Sequence, residues 1–225
     1  MRVRVLQRVR ALPNQVRTLI GPAAFAGSGV AFVVAVAFLF AAEGPGSGDI
    51  LTTLGSEHGR QLFGVTIAAG IVGVLLYVVA GSWLFLRLRA VNELAMFVVM
   101  ALSVVVAPVT IAFLAFQYVP VAVAQEHVST TDAGFRQLVV EAHAFADVGG
   151  WTVIALLAAS VLIVSVVFRQ AGRWPVLVVG GVVLFLLALL LFILDASYLF
   201  LLPFGVWEIT IAVAWLVSDR SWHAT

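Results

Sequence analysis

Long uncharged stretches alternate with short charged segments along the whole chain. The clearest is residues 148–168, where 21 residues without a charge lie between Asp147 on one side and Arg169 on the other. At the helical rise of about 1.5 Å per residue, such a segment spans roughly 30 Å, which is the thickness of the hydrocarbon core of a bilayer. The pattern predicts a membrane-spanning helix with one acidic end and one arginine end.

The other uncharged stretches also have the length of membrane spans. The stretch 175–217 is too long for one span, and Asp195 divides it into two spans with a tight turn near residues 195–198. In the long stretch 94–124, we expect Pro108 to kink the helix and Pro120 to close it. The sequence predicts an all-α, polytopic membrane protein, a six-helix bundle that occupies residues 19–218. The predicted spans are 19–42, 62–86, 94–119, 147–168, 175–194 and 198–217.

The charged segments between the predicted spans alternate in sign. Ten of the twelve arginines fall at one end of the bundle and eight of the eleven acids at the other. Because arginine-rich loops stay cytoplasmic, this asymmetry predicts that both termini are cytoplasmic, with a basic N-terminal segment at 1–18 and a tail at 219–225. Segment 43–60 is then an exterior loop, and 126–147 is a second exterior segment. We expect a multi-pass protein of the cell inner (plasma) membrane.

The composition excludes several classes of protein. With 63% hydrophobic residues, 10% charged residues and a mean hydropathy of +1.16, the chain is not a soluble domain. It has no cysteine, which excludes disulfides, thiolate metal sites and iron-sulfur clusters. It has no lysine for a retinal Schiff base, and its histidines lie outside the uncharged stretches, where a haem could not use them. We expect no cofactor.

The lipid bilayer is the expected partner of the chain. The first 17 residues hold five arginines and no acid, a pattern that sets topology and could also bind anionic lipid headgroups. Pairs of small residues four apart, Ala23 with Gly27 and Ala69 with Gly73, predict faces where helices pack closely. A homo-oligomer or another membrane protein as partner stays open, and nothing indicates nucleic acid.

Three histidines lie in predicted outer segments, each near a glutamate. Imidazole and carboxylate groups are good zinc ligands, and a zinc ion with an open position would support hydrolysis. However, the sequence contains no HExxH motif, and solvated loop charges explain the same pattern. The metal-ligand candidates are His58, His127 and His143. The wider outer-face cluster adds Glu141 and Asp147, the latter four residues after His143.

Glu208 is the only acid inside a predicted span. A charged side chain at the centre of a membrane helix costs on the order of 3 kcal/mol, so this residue should face protein or water. Pro203 and Gly205 precede it and should loosen the helix there. Arg60 and Gln61 are possible partners if Glu208 lies near the outer interface. Glu208 either bridges helices through hydrogen bonds or titrates during function.

Four motifs resemble a bacterial family of small six-helix membrane proteins of unknown function. They are LLYVVAGSWLFLRLRAVNELA at 75–95, VVEAHAFADVGGW at 139–151, VFRQAGRWPVLVVGGVVL at 167–184 and PFGVWEITIAVAWLV at 203–217. The chain departs from the family in its third span, which lacks the expected arginine and acid. The resemblance implies a six-helix fold and carries no activity.

These observations favour an integral membrane protein that is not an enzyme, acting as a transporter-like, sensor-like or structural membrane subunit. The lack of convergent polar groups in the sequence is the reason for this preference. One alternative is an outward-facing, metal-dependent membrane hydrolase that uses the Glu and His groups. A second alternative is a proton-coupled carrier that uses Glu208.

Overall fold

A computed structural model of the chain describes residues 14–47, 50–125, 132–194 and 197–222, and nearly all of them are helical. Six of the helices are long and apolar enough to cross a membrane, which confirms the predicted all-α, six-span class. The elements are α1 (Asn14–Ser47), α2 (Ile50–Gly55), α3 (Glu57–Leu88), α4 (Glu93–Gln125), α5 (Ala133–Gln170), α6 (Pro175–Ile193), a 3-10 helix (Ser197–Phe200) and α7 (Leu201–Trp222). The short helix α2 is the one that does not span.

The spans pack in the order of the chain, and the last span closes the bundle on the first. Each of α1, α3, α4 and α5 packs against the next span, and α7 packs mainly against α1 and more lightly against α6. Apolar side chains such as Val74, Leu157 and Phe168 fill the interior. Apolar side chains such as Leu86 and Val179 are exposed on the outside, where lipid would cover them. All six spans contribute residues to one buried apolar cluster.

The two ends of the bundle differ in charge. Arg87, Arg89, Arg169 and Arg173 lie at the end where α3 and α5 finish and α4 and α6 begin, which we term the arginine end. There, Asn92 donates a hydrogen bond to Gln170 at 3.1 Å and links the two turns. The opposite end, which we term the acidic end, carries the first turn of α3 with Glu57 and the start of α5.

The helices continue beyond the predicted spans at the acidic end. α1 runs through Pro45 to Ser47, and α5 begins at Ala133, well before the predicted start of its span at 147. The Asp132 carboxylate caps α5 by accepting a hydrogen bond from the Phe135 N–H at 3.0 Å. The prediction of a loop over 43–60 is therefore wrong for most of its described residues, and the predicted exterior segment 126–147 is helical from Ala133 onward. A capped helix continues through polar sequence because its backbone hydrogen bonds do not depend on apolar side chains.

Both prolines of the third span lie inside α4. The helix runs past Pro120 to Gln125, so the prediction that Pro120 closes it is wrong. A proline removes one backbone donor, and neighbouring helices in a membrane protein can compensate for that loss.

The prediction that Gly73 packs closely against another helix is confirmed. A Cβ atom at Gly73 would lie 3.1 Å from the Phe32 ring and 3.4 Å from the Ala31 Cβ, so α3 packs closely against α1 at this point. Gly27 also approaches α3, since a Cβ atom there would lie 2.9 Å from Leu76 Cδ1, whereas Ala23 is exposed.

Candidate functional site

Glu208 lies on α7 and is fully buried, with 0% of its surface exposed. Its position follows from Gly205, one helical turn earlier, which lets the backbone of α1 approach α7 closely. The approach holds the carboxyl between helices and away from lipid. An ionisable side chain buried within a membrane span is a functional-site candidate, because removing it from water is costly.

Four side chains with hydroxyl groups, each from a different span, lie either next to the Glu208 carboxyl or next to a residue that lies near it. Ser28 of α1 lies beside Glu208. Tyr77 of α3 lies near Glu208 and near the side chains of Ser103 in α4 and Ser160 in α5. We term these five residues the polar core. All five are buried.

The three serines of the polar core use their hydroxyl protons on backbone carbonyls. Ser28 donates to the Gly73 carbonyl at 3.0 Å, Ser103 to Val99 at 2.8 Å and Ser160 to Leu156 at 2.9 Å. A hydroxyl has one proton and two lone pairs, so each serine then offers only acceptor positions to its other neighbours. The polar core is therefore rich in acceptors and poor in donors.

Neither carboxyl oxygen of Glu208 has a hydrogen-bond partner within the described residues. The nearby Ser28 hydroxyl is directed at Gly73 instead. Arg60 and Gln61, which were possible partners if Glu208 lay near the outer interface, do not pair with it, because Arg60 donates to the Leu54 carbonyl at 2.8 Å and Gln61 to Glu57 at 3.3 Å. An ionised carboxylate only accepts hydrogen bonds, whereas a protonated carboxyl also donates one. The acceptor-rich surroundings match the protonated form.

Aromatic side chains separate the polar core from the acidic end. Phe204 packs against Phe32 at 5.7 Å, Tyr77 at 5.8 Å and Phe200 at 5.7 Å between ring centroids. Both Phe200 and Phe204 are fully buried. This packing places an apolar layer next to Glu208.

A cavity of about 10 Å³ adjoins the polar core and is lined in part by Tyr77, Ser160 and Trp207. This volume is near the lower limit for holding one water molecule. The Trp207 indole N–H is already engaged, since it donates to the Leu177 carbonyl at 3.3 Å. The site can therefore host at most a very small polar ligand, such as a proton or a single water molecule, without moving the helices.

The outer-face residues of the sequence analysis do not assemble into a metal site among the described residues. His143 and Asp147 approach to 3.9 Å on α5, but both side chains are more than half exposed. Glu141 accepts a hydrogen bond from Gln137 at 2.8 Å, and His58 is exposed in the first turn of α3. No three His, Asp or Glu side chains of the described ranges converge. His127 lies outside those ranges, so its role as a ligand stays a prediction.

No protein-family model, curated protein or solved structure matches this chain. The family suggested by the four motifs is therefore not identified. What stands is the integral membrane architecture with its six spans.

Sequence reasoning found Glu208 and missed the rest of the polar core. Ser28, Ser103 and Ser160 drew no attention because single serines are common in membrane helices, where they bond to their own backbone. Tyr77 could have been noticed, since a tyrosine in the middle of a span is far from the interfaces where this residue usually lies.

Proposed function

We propose that the protein is a non-enzymatic membrane subunit, transporter-like or sensor-like, in which Glu208 binds and releases a proton. The observation that carries this proposal is the complete burial of Glu208 with both carboxyl oxygens unpaired. A buried polar group without a partner is costly, and natural proteins retain such groups mainly where they serve a function.

Proton release would change the hydrogen bonds that Glu208 requires. The protonated carboxyl can donate to the lone pairs of Ser28, whereas the carboxylate needs donors that the three serines do not supply. The Tyr77 hydroxyl has one proton and adjoins the acceptor positions of Ser103 and Ser160, so water entering from the adjoining cavity is the main source of donors. Because the cavity has room for about one water molecule, fuller hydration of the carboxylate requires the helices to separate. The protonation state of Glu208 and the packing of the helices are therefore coupled.

The contact between α1 and α7 is the place where that movement is expected. Ser28 and Gly29 are adjacent in α1, and Gly205 and Glu208 are one turn apart in α7. A charge on Glu208 therefore acts directly on the packing of these two helices. We propose that this contact is tight when Glu208 is protonated and loosens when it is ionised.

We further propose that the arginine end is cytoplasmic and that the protein lies in the plasma membrane. The support is the distribution of arginine along the sequence, in which ten of the twelve arginines fall in the segments that alternation of the six spans assigns to one side. Under this orientation Phe200 and Phe204 lie between Glu208 and the exterior.

Hydrogen-deuterium exchange at a series of pH values tests the proposal. After correction for the intrinsic pH dependence of exchange, backbone amides of α1 and α7 near Gly29 and Gly205 should exchange faster as the pH is raised. Glu208→Gln should remain folded and lose this pH dependence, since glutamine keeps the shape but cannot ionise. Glu93→Gln, which removes an exposed acid at the start of α4, is the matched control and should behave as the unmodified protein does.

A purely structural role for Glu208 gives a different outcome. In that case Glu208→Gln is tolerated, Glu208→Leu destabilises the protein, and the exchange of α1 and α7 responds to pH equally in the unmodified protein and in Glu208→Gln. That result would remove the basis for proton binding as the function.

A further inference from the structure

The cavity of about 10 Å³ beside the polar core is displaced from it toward the arginine end. In each of five spans, one lining residue lies a helical turn closer to that end than the polar-core residue of the same span. The pairs, lining residue first, are Phe25 and Ser28 in α1, Gly81 and Tyr77 in α3, Val99 and Ser103 in α4, Val164 and Ser160 in α5, and Ile211 and Glu208 in α7. Tyr77 and Ser160 also line the cavity, so it is continuous with the polar core.

The same five spans place only apolar side chains one turn from the polar core on the opposite side. All of these side chains are buried, and we term them the acidic-side layer: Phe32 in α1, Val74 in α3, Val106 in α4, Leu157 in α5 and Phe204 in α7. Thr110, the next polar residue of α4 in that direction, lies beyond this layer. A water molecule or a charge that enters an apolar layer loses its hydrogen bonds, which is costly. The acidic-side layer therefore opposes proton movement between Glu208 and the acidic end.

A second, larger cavity of about 450 Å³ lies at the arginine end, and its described lining includes Leu88 and Trp215. Leu84 and Ile211, which line the small cavity, each lie one turn before these residues on the same helices. The two cavities are therefore separated along α3 and α7 by about one helical turn, or roughly 5.4 Å. The barrier on this side is thin.

The described spans bring no second charged side chain to Glu208. Tyr77 is the other titratable group near it. The stretches of the neighbouring helices at this depth are all uncharged: 19–42, 61–86, 94–124, 148–168 and 175–194. Arg87 and Arg173 line the larger cavity, on the far side of Leu88 and Trp215 from the carboxyl. Access of water, and not a neighbouring charge, thus governs how the carboxyl exchanges its proton.

We propose that Glu208 exchanges its proton with the arginine end of the bundle and not with the acidic end. This inference rests on the proposed function, because it requires Glu208 to release a proton. The proton leaves the carboxyl beside Tyr77, passes to a water molecule in the small cavity, and crosses the layer of Leu88 and Trp215 to the larger cavity and the solvent. Glu208 is left as a carboxylate, and protonation follows the same path in reverse.

Liposomes with different pH values on the two sides of the membrane test this direction of exchange. The chain has no cysteine, so one introduced thiol can report the orientation of each molecule. Arg89→Cys, at an exposed position of the arginine end, reacts with an impermeant maleimide only where that end faces outward. His58→Cys, exposed at the acidic end, is the matched control and should label the complementary fraction. A preparation is chosen in which the two fractions differ.

The infrared band of the protonated Glu208 carboxyl, identified by its loss in Glu208→Gln, is the readout. When only the external pH is raised, the lost fraction of the band should equal the fraction labelled in Arg89→Cys. A protonophore should then convert the rest. A loss equal to the fraction labelled in His58→Cys, or loss of the whole band before the protonophore is added, would overturn the inference alone. A band that survives the protonophore at every pH at which the fold persists would contradict the proposed function and the inference with it.

A matched pair of substitutions tests whether the small cavity is the path. Val99 and Val106 are buried valines of α4 on opposite sides of Ser103. Val99→Ile adds a methyl group to the cavity wall and should slow the ionisation of Glu208 after a pH jump by roughly tenfold, because the cavity is near the smallest volume that holds a water molecule. Val106→Ile adds the same group to the acidic-side layer and should leave the rate unchanged. Equal rates in the two variants, or a slower rate in Val106→Ile, would overturn the path.

Discussion

Gly29 in α1 and Gly205 in α7 meet backbone to backbone, because a Cβ atom on either residue would fall against the carbonyl oxygen of the other. This is closer than helices with larger side chains can approach. Ser28 is the neighbour of Gly29, and Glu208 is one turn from Gly205, so the glycine pair fixes the approach of the serine hydroxyl to the carboxyl. The polar core depends on this contact.

Gly205→Ala should destabilise the protein. The added methyl group has no room beside the Gly29 carbonyl, and overpacking of this kind costs about 1–3 kcal/mol. The measurement is the midpoint of thermal unfolding in detergent.

Gly64→Ala is the matched control for this substitution. Gly64 lies inside a helix, as Gly205 does, but nothing is within 4 Å of the position that a Cβ atom would take. Alanine favours helix over glycine by about 1 kcal/mol, so this variant should be as stable as the unmodified protein or slightly more stable. Equal effects of the two substitutions would mean that the glycine pair is not a close contact.

Gly73→Leu should also lower the midpoint of thermal unfolding, because a large side chain would collide with Phe32 and Ala31 of α1. Val72→Leu, one residue earlier on an exposed position, should leave the midpoint nearly unchanged. If Gly73→Leu is tolerated as well as Val72→Leu, this face of α3 points toward lipid and the arrangement of α1 and α3 described above is wrong.

Trp207→Phe should destabilise the protein by about 1 kcal/mol, the usual net contribution of one hydrogen bond. The substitution keeps an aromatic ring but removes the N–H that donates to the Leu177 carbonyl and joins α7 to α6. Denaturation in detergent measures the loss. An unchanged stability would show that this bond does not contribute to the lightly packed contact between α6 and α7.

A reporter fused after Thr225 should be active only if it functions in the cytoplasm. The expectation follows from the arginine distribution of the segments between spans. A periplasmic-type reporter that is active at that position would contradict the proposed orientation.

The sequence predicted the number of spans because each requires an apolar stretch of about 20 residues, a signal that composition carries directly. It predicted the helix ends poorly. The start of α5 depends on the cap at Asp132, and α4 continues through Pro120 although a proline lacks one backbone donor. Neither effect changes hydrophobicity, so a search for uncharged stretches cannot detect them.

The residues of the candidate site were predicted only in part, because only some of them stand out from their neighbours in the sequence. An acid within a span stands out against its neighbours, and Glu208 was identified by that contrast. The small-residue pattern selected Gly73 correctly but missed Gly29 and Gly205, because their contact joins the first span to the last. Such a pairing depends on the order in which helices pack, which the spacing of residues within one helix does not encode.

In the proposed function, the carboxyl of Glu208 gains and loses a proton inside the polar core. Infrared difference spectroscopy of the unmodified protein against Glu208→Gln, recorded as the pH is raised, measures this directly. We predict a carbonyl stretch of a protonated carboxylic acid that is absent from the variant and that gives way to carboxylate bands at higher pH, while the protein remains folded. A difference spectrum that shows only carboxylate bands, or an acid band that stays constant at every pH at which the fold persists, would contradict the account.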